Sequence, residues 1–292
     1  MKILITGSNG FLGKSLVKKI SSTTKHKIIA LDKEHNYECN NVTFLNKDIT
    51  LAESIEDCFE GVDVVVHYAS IADIHEANIN PLNTMNVNLI GTINILNLCV
   101  KYKIKRFIFS SSVYVNSNQG GLYKVSKKAC EDIISHYGEK FNLKYTIMKL
   151  GSLYGPGGNS FNFIYNSLRS ALKHKRIDRP GDGNELREYI HIDDVNSFVI
   201  SKFKNLNVDS ENIIVSGLQL QKVSDILNII NEILGGKIEI NYQNDKKFDG
   251  HYKYTSYSYS NFVTKKVILE NYIDIGAGII DCINDIKNNE NL

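Results

Sequence analysis

A tyrosine and a lysine four residues apart follow a short run of serines in the first half of the chain. The stretch SSSVYVNSNQGGLYKVSK spans residues 110–127 and places Tyr123 and Lys127 at positions i and i+4. Residues with this spacing lie on one face of a helix. A solvated helix would carry the same pair by chance, so the pair has chemical meaning only if the rest of the chain builds a site around it.

The chemistry open to these side chains is the transfer of a proton to or from a hydroxyl group. A free phenol has a pKa of about 10 and is a weak base at neutral pH. The ammonium group of Lys127 would favour the phenolate form of Tyr123, which could then act as a general base. A serine hydroxyl from the run would hold the same substrate oxygen and relay the proton.

The elements that must position this pair are strands and helices in alternation. Up to residue 150, short runs rich in Val, Ile and Phe are typical of strands buried on both faces of a parallel sheet. These runs are KILIT, KIIALD, NVTFLN, VDVVVHYA, KRFIFSS and KYTIMKL. Helical patterns lie between them, most clearly over residues 81–102 and 123–141. We therefore predict an α/β fold with a doubly wound parallel sheet over residues 1–150.

The regular alternation loosens after LYGPGG, residues 153–158. Helical spacing of apolar residues returns over 223–234, and a further helix is predicted near 161–173. We predict that residues 151–292 form mainly a smaller α/β substrate-binding lobe. A segment of about 187–217 is expected to return to the first domain.

Three glycines directly follow the first predicted strand. In ITGSNGFLG, Gly7, Gly10 and Gly13 permit a tight turn and let backbone amides approach a pyrophosphate. The second strand ends in Asp32, whose carboxylate can accept both hydroxyls of an adenosine ribose and would repel a 2′-phosphate. The alternative is an ordinary turn followed by a solvated acid. We predict a Rossmann-type site for NAD, whose oxidised nicotinamide would further favour the Tyr123 phenolate.

Composition argues against several classes of function. The 292 residues are 42% hydrophobic and carry a formal net charge of only +2, which gives no field suited to nucleic acid or an anionic membrane. Neither a secretory signal nor a membrane-spanning run is apparent, so we expect a cytoplasmic protein. The five cysteines are scattered without CxxC or zinc spacing, which indicates reduced thiols and predicts no metal site.

Taken together, these features resemble the extended short-chain dehydrogenase/reductase family, specifically its NAD-dependent nucleotide-sugar epimerase and dehydratase branch. The resemblance covers nearly the whole chain. It rests on an ordered set of motifs, namely TGSNGFLG, Asp32, HYAS, NLIGT, FIFSSS, YKVSK, LYGP and REYIHIDDV. It implies a homodimeric enzyme that binds NAD and a nucleotide sugar.

The resemblance also implies roles for individual residues. Tyr123 would be the catalytic base or acid, and Lys127 would bind the nicotinamide ribose while tuning Tyr123. Asn88, in NLIGT, would be the family's structural asparagine beneath the active site. The residues implied to hold the dinucleotide are Gly7, Asn9, Gly10, Phe11, Leu12, Gly13, Asp32, Asp48, Ile49, Ala69, Tyr123 and Lys127.

Two serines compete for the role of the active hydroxyl. Matching FIFSSS from the strand makes Ser112 the catalytic residue, whereas matching from the VY pair of many relatives points to Ser110. We choose Ser112. Dehydratases of the family carry an acid pair directly after this hydroxyl, whereas this chain has Val113 and Tyr114 there, which disfavours 4,6-dehydration.

The implied substrate side departs from the family pattern. Ser152 replaces an asparagine that commonly reaches the sugar-nucleotide phosphates, and Lys149 replaces the arginine that precedes it. Arg187 remains as a phosphate ligand, because a guanidinium group matches phosphate in a bidentate way. The alternative for Arg187 is a surface salt bridge with Glu185 or Glu188.

The segment HYKYTSYSYSNF, residues 251–262, is rich in aromatic side chains. Its tyrosines could stack on a base or sugar, or they could alternate along a half-buried strand. The tyrosines concerned are Tyr252, Tyr254, Tyr257 and Tyr259.

The leading hypothesis is an NAD-dependent nucleotide-sugar epimerase that inverts C4 of a hexose through a transient 4-keto sugar. Each cycle would regenerate the cofactor, so NAD should stay bound. One alternative is a nucleotide-sugar 4-dehydrogenase or 4-keto reductase with an exchangeable cofactor. Another is a dinucleotide-binding sensor without catalysis.

Overall fold

The computed structural model describes residues 1–243, 251–254 and 264–290. Tyr257 and Tyr259, which were predicted either to stack on a ligand or to alternate along a strand, lie outside the described residues. The strands are β1 (Lys2–Thr6), β2 (Lys27–Asp32), β3 (Val42–Asn46), β4 (Val64–His67), β5 (Arg106–Ser112), β6 (Tyr145–Leu150), β7 (Ser152–Tyr154), β8 (Arg176–Pro180), β9 (Leu186–Arg187), β10 (Tyr189–His191), β11 (Glu211–Val215), β12 (Gln221–Lys222), β13 (Glu239–Gln243) and β14 (Lys265–Lys266). The helices are α1 (Phe11–Thr23), α2 (Ala52–Ile55), α3 (Ile74–Ile79), α4 (Pro81–Met85), α5 (Gly91–Lys101), α6 (Gly121–Phe141), α7 (Phe163–His174), α8 (Ile192–Lys202), α9 (Val223–Ile233) and α10 (Ile275–Glu290).

A parallel sheet in the order β14-β11-β6-β5-β4-β1-β2-β3 forms the centre of the molecule. Helices α1 and α8 contribute apolar side chains to the core on one face, and α5 and α6 contribute to the core on the other. Because both faces are covered, β4 and β5 are buried along their whole length, which explains the apolar runs VVV in β4 and FIF in β5. The predicted doubly wound parallel sheet is confirmed.

The direction of winding reverses between β1 and β4, which are neighbours in the sheet. Loops that leave the carboxyl ends of two such strands diverge, and the crevice between them is where doubly wound sheets bind ligands. The turn after β1 and the loop after β4 therefore border the region in which the predicted cofactor residues must meet.

The second half of the chain contributes to both the main sheet and a separate core. Strand β11 pairs with β6, and β14 extends the sheet beyond β11, a strand that the sequence patterns did not predict. Helices α7, α9 and α10 share a third apolar core. The short pairs β7 with β10, β9 with β12 and β8 with β13 lie outside the main sheet.

The helix predicted over residues 81–102 is interrupted by one unusual turn. A π-helical turn, Asn86–Ile90, joins α4 to α5. Such single turns are frequent at functional sites because the extra residue shifts which side chains point inward. Here the buried side chain of the turn is Asn88.

Some classes of feature are absent from the described ranges. No helix there is long and apolar enough to cross a lipid bilayer. Those ranges also contain no group of three or more His, Cys, Asp or Glu side chains arranged to hold a metal ion. All five cysteines fall within them as free thiols.

Candidate active site

The serine, tyrosine and lysine singled out by their spacing lie together between β5 and α6. The side chain of Ser112, at the end of β5, lies close enough to that of Tyr123, in the first turn of α6, to interact with its phenol. Lys127 lies one turn further along α6, and its Nζ atom donates to the Ser110 carbonyl oxygen at 2.8 Å. The same Nζ atom is 5.9 Å from the centroid of the Tyr123 ring. The structure thus brings the three predicted catalytic side chains into one cluster.

The electrostatics of the cluster are dominated by burial. Burial raises the pKa of Tyr123 to about 12, although the interaction with Ser112 acts in the opposite direction. Burial also lowers the pKa of Lys127 to about 8, partly offset by the charges of Cys130 and Glu131. The protein alone therefore does not depress the pKa of Tyr123, because desolvation disfavours a phenolate more strongly than the local groups favour it.

The two competing serines have different surroundings. Ser110 uses its hydroxyl to donate to the His67 carbonyl oxygen at 3.5 Å, while its own carbonyl holds Lys127. Ser112 accepts a hydrogen bond from the Tyr114 backbone amide at 3.3 Å and contacts the Tyr123 phenol. Of the two, Ser112 is the serine that the structure brings to the tyrosine.

Asn88 lies beneath this cluster in the π-helical turn. Its side-chain oxygen accepts a hydrogen bond from the Ile71 amide at 2.7 Å, and its side-chain nitrogen donates to the Ile71 carbonyl oxygen at 3.0 Å. It also donates to the Ser126 hydroxyl at 2.9 Å, and that hydroxyl in turn donates to the Tyr123 carbonyl oxygen. Asn88 therefore ties the loop after β4 to the first turn of α6.

Two of the three glycines after β1, Gly7 and Gly13, are required by close backbone contacts. Gly7 has a φ of +69°, and a Cβ atom there would lie 2.5 Å from the Ala69 amide nitrogen. A Cβ atom on Gly13 would lie 2.1 Å from the Gly7 carbonyl oxygen. At these two positions the turn packs against the loop after β4 and against the start of α1 with no room for a side chain, as a cradle for a pyrophosphate requires.

The predicted adenosine end of the site is built around two carboxylates. Asp32, the last residue of β2, accepts from the backbone amides of Asn9 and Lys33, both at 2.8 Å. Asp48 accepts from the backbone amide and the hydroxyl of Thr50 and forms an ion pair of 3.0 Å with Lys33. Ile49 is buried, and Phe11 and Leu12 open α1 beside the exposed Gly10.

One orphaned atom supports the fit of this region to a polar ligand. The Oδ1 atom of Asn9 is buried and has no hydrogen-bond partner among the described residues. A buried acceptor without a partner is costly unless a ligand or water satisfies it. Together with the glycine cradle and the Asp32 carboxylate, this acceptor fits a dinucleotide such as NAD.

Arg187 lies on β9 with its side chain buried against an aromatic ring. The centre of its guanidinium group is 4.1 Å from the centroid of Tyr252, and one Nη1 donor binds the Leu186 carbonyl oxygen. The salt bridge considered as its alternative role is wrong. Glu185 instead pairs with Arg179 at 3.0 Å, and Glu188 pairs with Lys266 at 2.9 Å.

The remaining positions of the predicted substrate side are divided between two places. Ser152 is half-buried on β7, which pairs with β10. Lys149 instead points away from that region and forms a buried ion pair of 3.2 Å with Glu131. Tyr114, two residues after Ser112, contacts His251 through a bond of 2.5 Å between the hydroxyl and Nδ1. Burial keeps the pKa of His251 low, at about 4, so its imidazole is neutral near pH 7.

Several residues near the cluster were missed by sequence reasoning. His251 and Arg179 are separated from their partners by loops, and nothing in the local spacing marks them. Glu131 could have been found, because it follows Lys127 by four residues and so continues the face that carries Tyr123. Of the aromatic segment, Tyr252 is buried against Arg187, whereas Tyr254 is exposed.

Comparison with known proteins gives one family. The model of the family described as NAD dependent epimerase/dehydratase matches residues 3–215. A putative UDP-glucose 4-epimerase of Methanocaldococcus jannaschii is 28% identical over 312 aligned residues, covering 98% of this chain and 99% of the relative. An uncharacterized UDP-glucose epimerase, YtcB, of Bacillus subtilis is 22% identical over 269 residues, covering 83% of this chain and 85% of the relative.

Solved structures agree in fold. The UDP-glucuronic acid 4-epimerase of Bacillus cereus, in complex with UDP-glucuronic acid and NAD, superposes with a TM-score of 0.85 at 20% identity. The match covers 99% of each chain. At this level of identity the likeness shows a shared fold over the whole length.

Proposed function

The chain belongs to the NAD-dependent epimerase/dehydratase family, and from that premise we propose that it is a nucleotide-sugar 4-epimerase. The observation that carries the proposal is the contact of Ser112 with Tyr123, with Lys127 one helical turn away. The relatives support the class of substrate, since those compared above are named as UDP-sugar epimerases. We propose a UDP-hexose as the substrate and inversion at C4 as the reaction.

In the proposed reaction the protein moves one proton and holds one oxygen. Tyr123 accepts the proton of the C4 hydroxyl and later returns it to the oxygen of the 4-keto sugar. Ser112 donates a hydrogen bond to that oxygen and so stabilises the charge that develops on it. Lys127, held by the Ser110 carbonyl, contributes a positive charge that favours the Tyr123 phenolate.

The residues proposed to hold NAD are those of the glycine cradle, Asp32 and Lys127. Bound NAD supplies a hydride acceptor and donor for the sugar carbon. The Asp32 carboxylate would take the adenosine ribose hydroxyls and disfavour a 2′-phosphate. Asn9 would use its orphaned Oδ1 as an acceptor for the same ligand.

The two residues that follow Ser112 disfavour a 4,6-dehydratase reaction. Val113 is buried, and the Tyr114 hydroxyl is engaged with His251. Burial raises the pKa of Tyr114 well above its usual range, so this phenol is a poor acid. Without a carboxyl group at either place, protonation of a leaving hydroxyl at C6 has no evident donor there.

The proposal can be tested by identifying the cofactor that remains bound to the purified protein. We expect denaturation followed by liquid chromatography and mass spectrometry to release near-stoichiometric NAD or NADH, because internal recycling keeps the cofactor bound. A protein purified without cofactor would favour a dehydrogenase or 4-keto reductase. Release of NADP would contradict the role proposed for Asp32, and NAD without turnover on any nucleotide sugar would favour a sensor.

Arg187 is proposed to bind the diphosphate of the substrate. Its buried charge has no ion-pair partner among the described residues, and stacking on Tyr252 fixes the plane of the guanidinium group. Replacing Arg187 with Met should raise KM for the nucleotide sugar about 10- to 100-fold, because a charge-assisted hydrogen bond contributes roughly 1.5–3 kcal/mol. Steady-state kinetics measures this effect.

The control for this variant is Arg176→Met, which removes an exposed arginine paired with Asp178. It should leave KM unchanged. The bound NAD of both variants should equal that of the wild type. An unchanged KM in Arg187→Met would remove Arg187 from the substrate site.

We also propose a homodimer formed by the helices on the α6 side. Large apolar side chains are exposed along these elements, with Leu82 87% and Ile79 61% exposed. Ile90 and Val125 extend the same set. Sedimentation velocity should give a dimer, and Leu82→Asp should shift it to a monomer, because a buried unpaired carboxylate is strongly unfavourable. A wild-type monomer at micromolar concentration would contradict the proposal.

A further inference from the structure

A buried polar cluster lies on the side of β5 and β6 that faces α6. Glu131 of α6 and Lys149 of β6 are 2% and 5% exposed at their side chains, and their charged atoms are 3.2 Å apart. Asn212 of β11 accepts from Lys149 at 2.6 Å and donates to Glu131 at 3.3 Å. The hydroxyl of Ser111 donates to the second carboxylate oxygen of Glu131. Each oxygen of the Glu131 carboxylate therefore has a partner.

The position of Ser111 connects this cluster to the active site. Ser111 is the middle residue of the serine run, so its backbone joins Ser110 to Ser112. The Ser110 carbonyl holds Lys127, and the Ser112 side chain contacts Tyr123. Glu131 lies one turn beyond Lys127 on α6 and accepts a hydrogen bond from Ser111. It therefore holds the end of β5 at the residue between the two serines that contact α6.

Stability alone is a weak reason for such a pair. Two charges removed from water lose much of their solvation, and apolar replacements of similar volume are often neutral or stabilising. The ion pair of Glu131 and Lys149 is better explained by a role in positioning neighbouring groups. Its partners lie on β5, β6, β11 and α6, so it ties the active helix to three adjacent strands.

We propose that Glu131 is a positioning residue that fixes the end of β5 against α6 and so holds the Ser110 carbonyl against Lys127 and the Ser112 hydroxyl against Tyr123. The inference rests on the proposed function, since it concerns the roles of Tyr123 and Lys127 in proton transfer. It adds a residue that does not itself touch substrate.

The groups around Lys127 support this role. Burial lowers the pKa of Lys127 to about 8, and the charges of Cys130 and Glu131 raise it. The titratable groups near Lys127 are Tyr123, Cys130 and Glu131 on α6, His67 on β4, and Lys149 on β6 behind Glu131. His67 is uncharged near pH 7, because burial lowers its pKa to about 3. On β5, Lys127 contacts the Ser110 carbonyl and the Phe109 ring, which carry no net charge.

Removing the Glu131 charge should change the pH dependence of the reaction in one direction. In Glu131→Gln the pKa of Lys127 falls further, so Lys127 becomes neutral at a lower pH and no longer favours the Tyr123 phenolate. The basic limb of the pH profile of kcat/KM should therefore move to lower pH. The amide can still accept from Ser111, so the placement of the strand end is largely kept.

A second variant keeps the test usable if Glu131→Gln is unstable. Glu131→Gln alone leaves the ammonium of Lys149 buried without its partner, which is strongly destabilising. The double variant Glu131→Gln, Lys149→Met removes both charges and should melt close to the wild type. Its basic limb should still move down, because the carboxylate near Lys127 is gone.

The matched control is Asp132→Asn, an equal change of charge at the adjacent exposed residue, which pairs with Lys128. Its pH profile should match the wild type, and all variants should retain NAD. A double variant that melts normally but keeps the wild-type profile would overturn the inference, and so would an equal shift in Asp132→Asn. If Tyr123→Phe kept full turnover, the proposed function itself would fail, whatever the Glu131 variants show.

Discussion

Replacing Tyr123 with Phe is expected to lower kcat by about 10²- to 10⁴-fold, the range in which positioned general acid–base groups contribute. The substitution removes only the hydroxyl that contacts Ser112, so the half-buried ring can keep its packing. Bound NAD and the melting temperature should stay close to those of the wild type. Pre-steady-state and steady-state kinetics with a nucleotide sugar measure the loss.

A tyrosine on the same helix provides the control for this variant. Tyr137 donates its hydroxyl to Asn97 at the surface, 2.6 Å away, far along α6 from Lys127. Tyr137→Phe should therefore keep full activity. Full turnover in Tyr123→Phe would remove this residue from the reaction and with it the mechanism proposed above.

Replacing Gly13 with Ala is expected to abolish retention of NAD during purification. The new Cβ atom would lie 2.1 Å from the Gly7 carbonyl oxygen and 2.7 Å from the Ser8 Cα atom. Both atoms belong to the backbone, so α1 must move away from the turn that is proposed to hold the pyrophosphate. Overpacking of this kind costs about 1–3 kcal/mol, which should also lower the melting temperature by several degrees.

Gly276→Ala is the matched control because Gly276 also lies in the first turn of a helix, α10. The nearest neighbour of its new Cβ atom would be a side-chain oxygen of Asp274 at 3.1 Å and not a backbone atom, so NAD content should be unchanged and the melting temperature should fall less than in Gly13→Ala. Normal NAD content in Gly13→Ala would contradict the assignment of this turn as the cofactor cradle.

Local patterns were sufficient to predict the elements that carry the active cluster. The strand ending in Asp32 and the helix carrying Tyr123 follow from runs of apolar residues and from helical spacing, both of which are local. The π-helical turn at Asn88 could not be predicted in this way. Its extra residue is favoured by tertiary contacts of Asn88 with Ile71 and Ser126, which are far away in sequence.

The substrate side was less predictable because its contacts join distant segments. The alternative that Arg187 forms a salt bridge with Glu185 or Glu188 was wrong, because these two glutamates pair with Arg179 and Lys266. No spacing in the sequence indicates those partners. Lys149 lies at a position matched to a family arginine, but its ion pair with Glu131 depends on how β6 packs under α6. The pKa of Tyr123 likewise depends on burial, which a spacing rule does not contain.

In the proposed reaction a hydride leaves the sugar carbon and returns to that same carbon within one site. The most direct test is to incubate the purified protein, without added cofactor, with UDP-glucose and UDP-glucuronic acid that carry deuterium at C4. We predict a C4 epimer that retains the deuterium at C4, as measured by proton NMR and mass spectrometry. Appearance of the deuterium in free reduced cofactor, or hydrogen from water at C5 or C6 of the product, would contradict this mechanism.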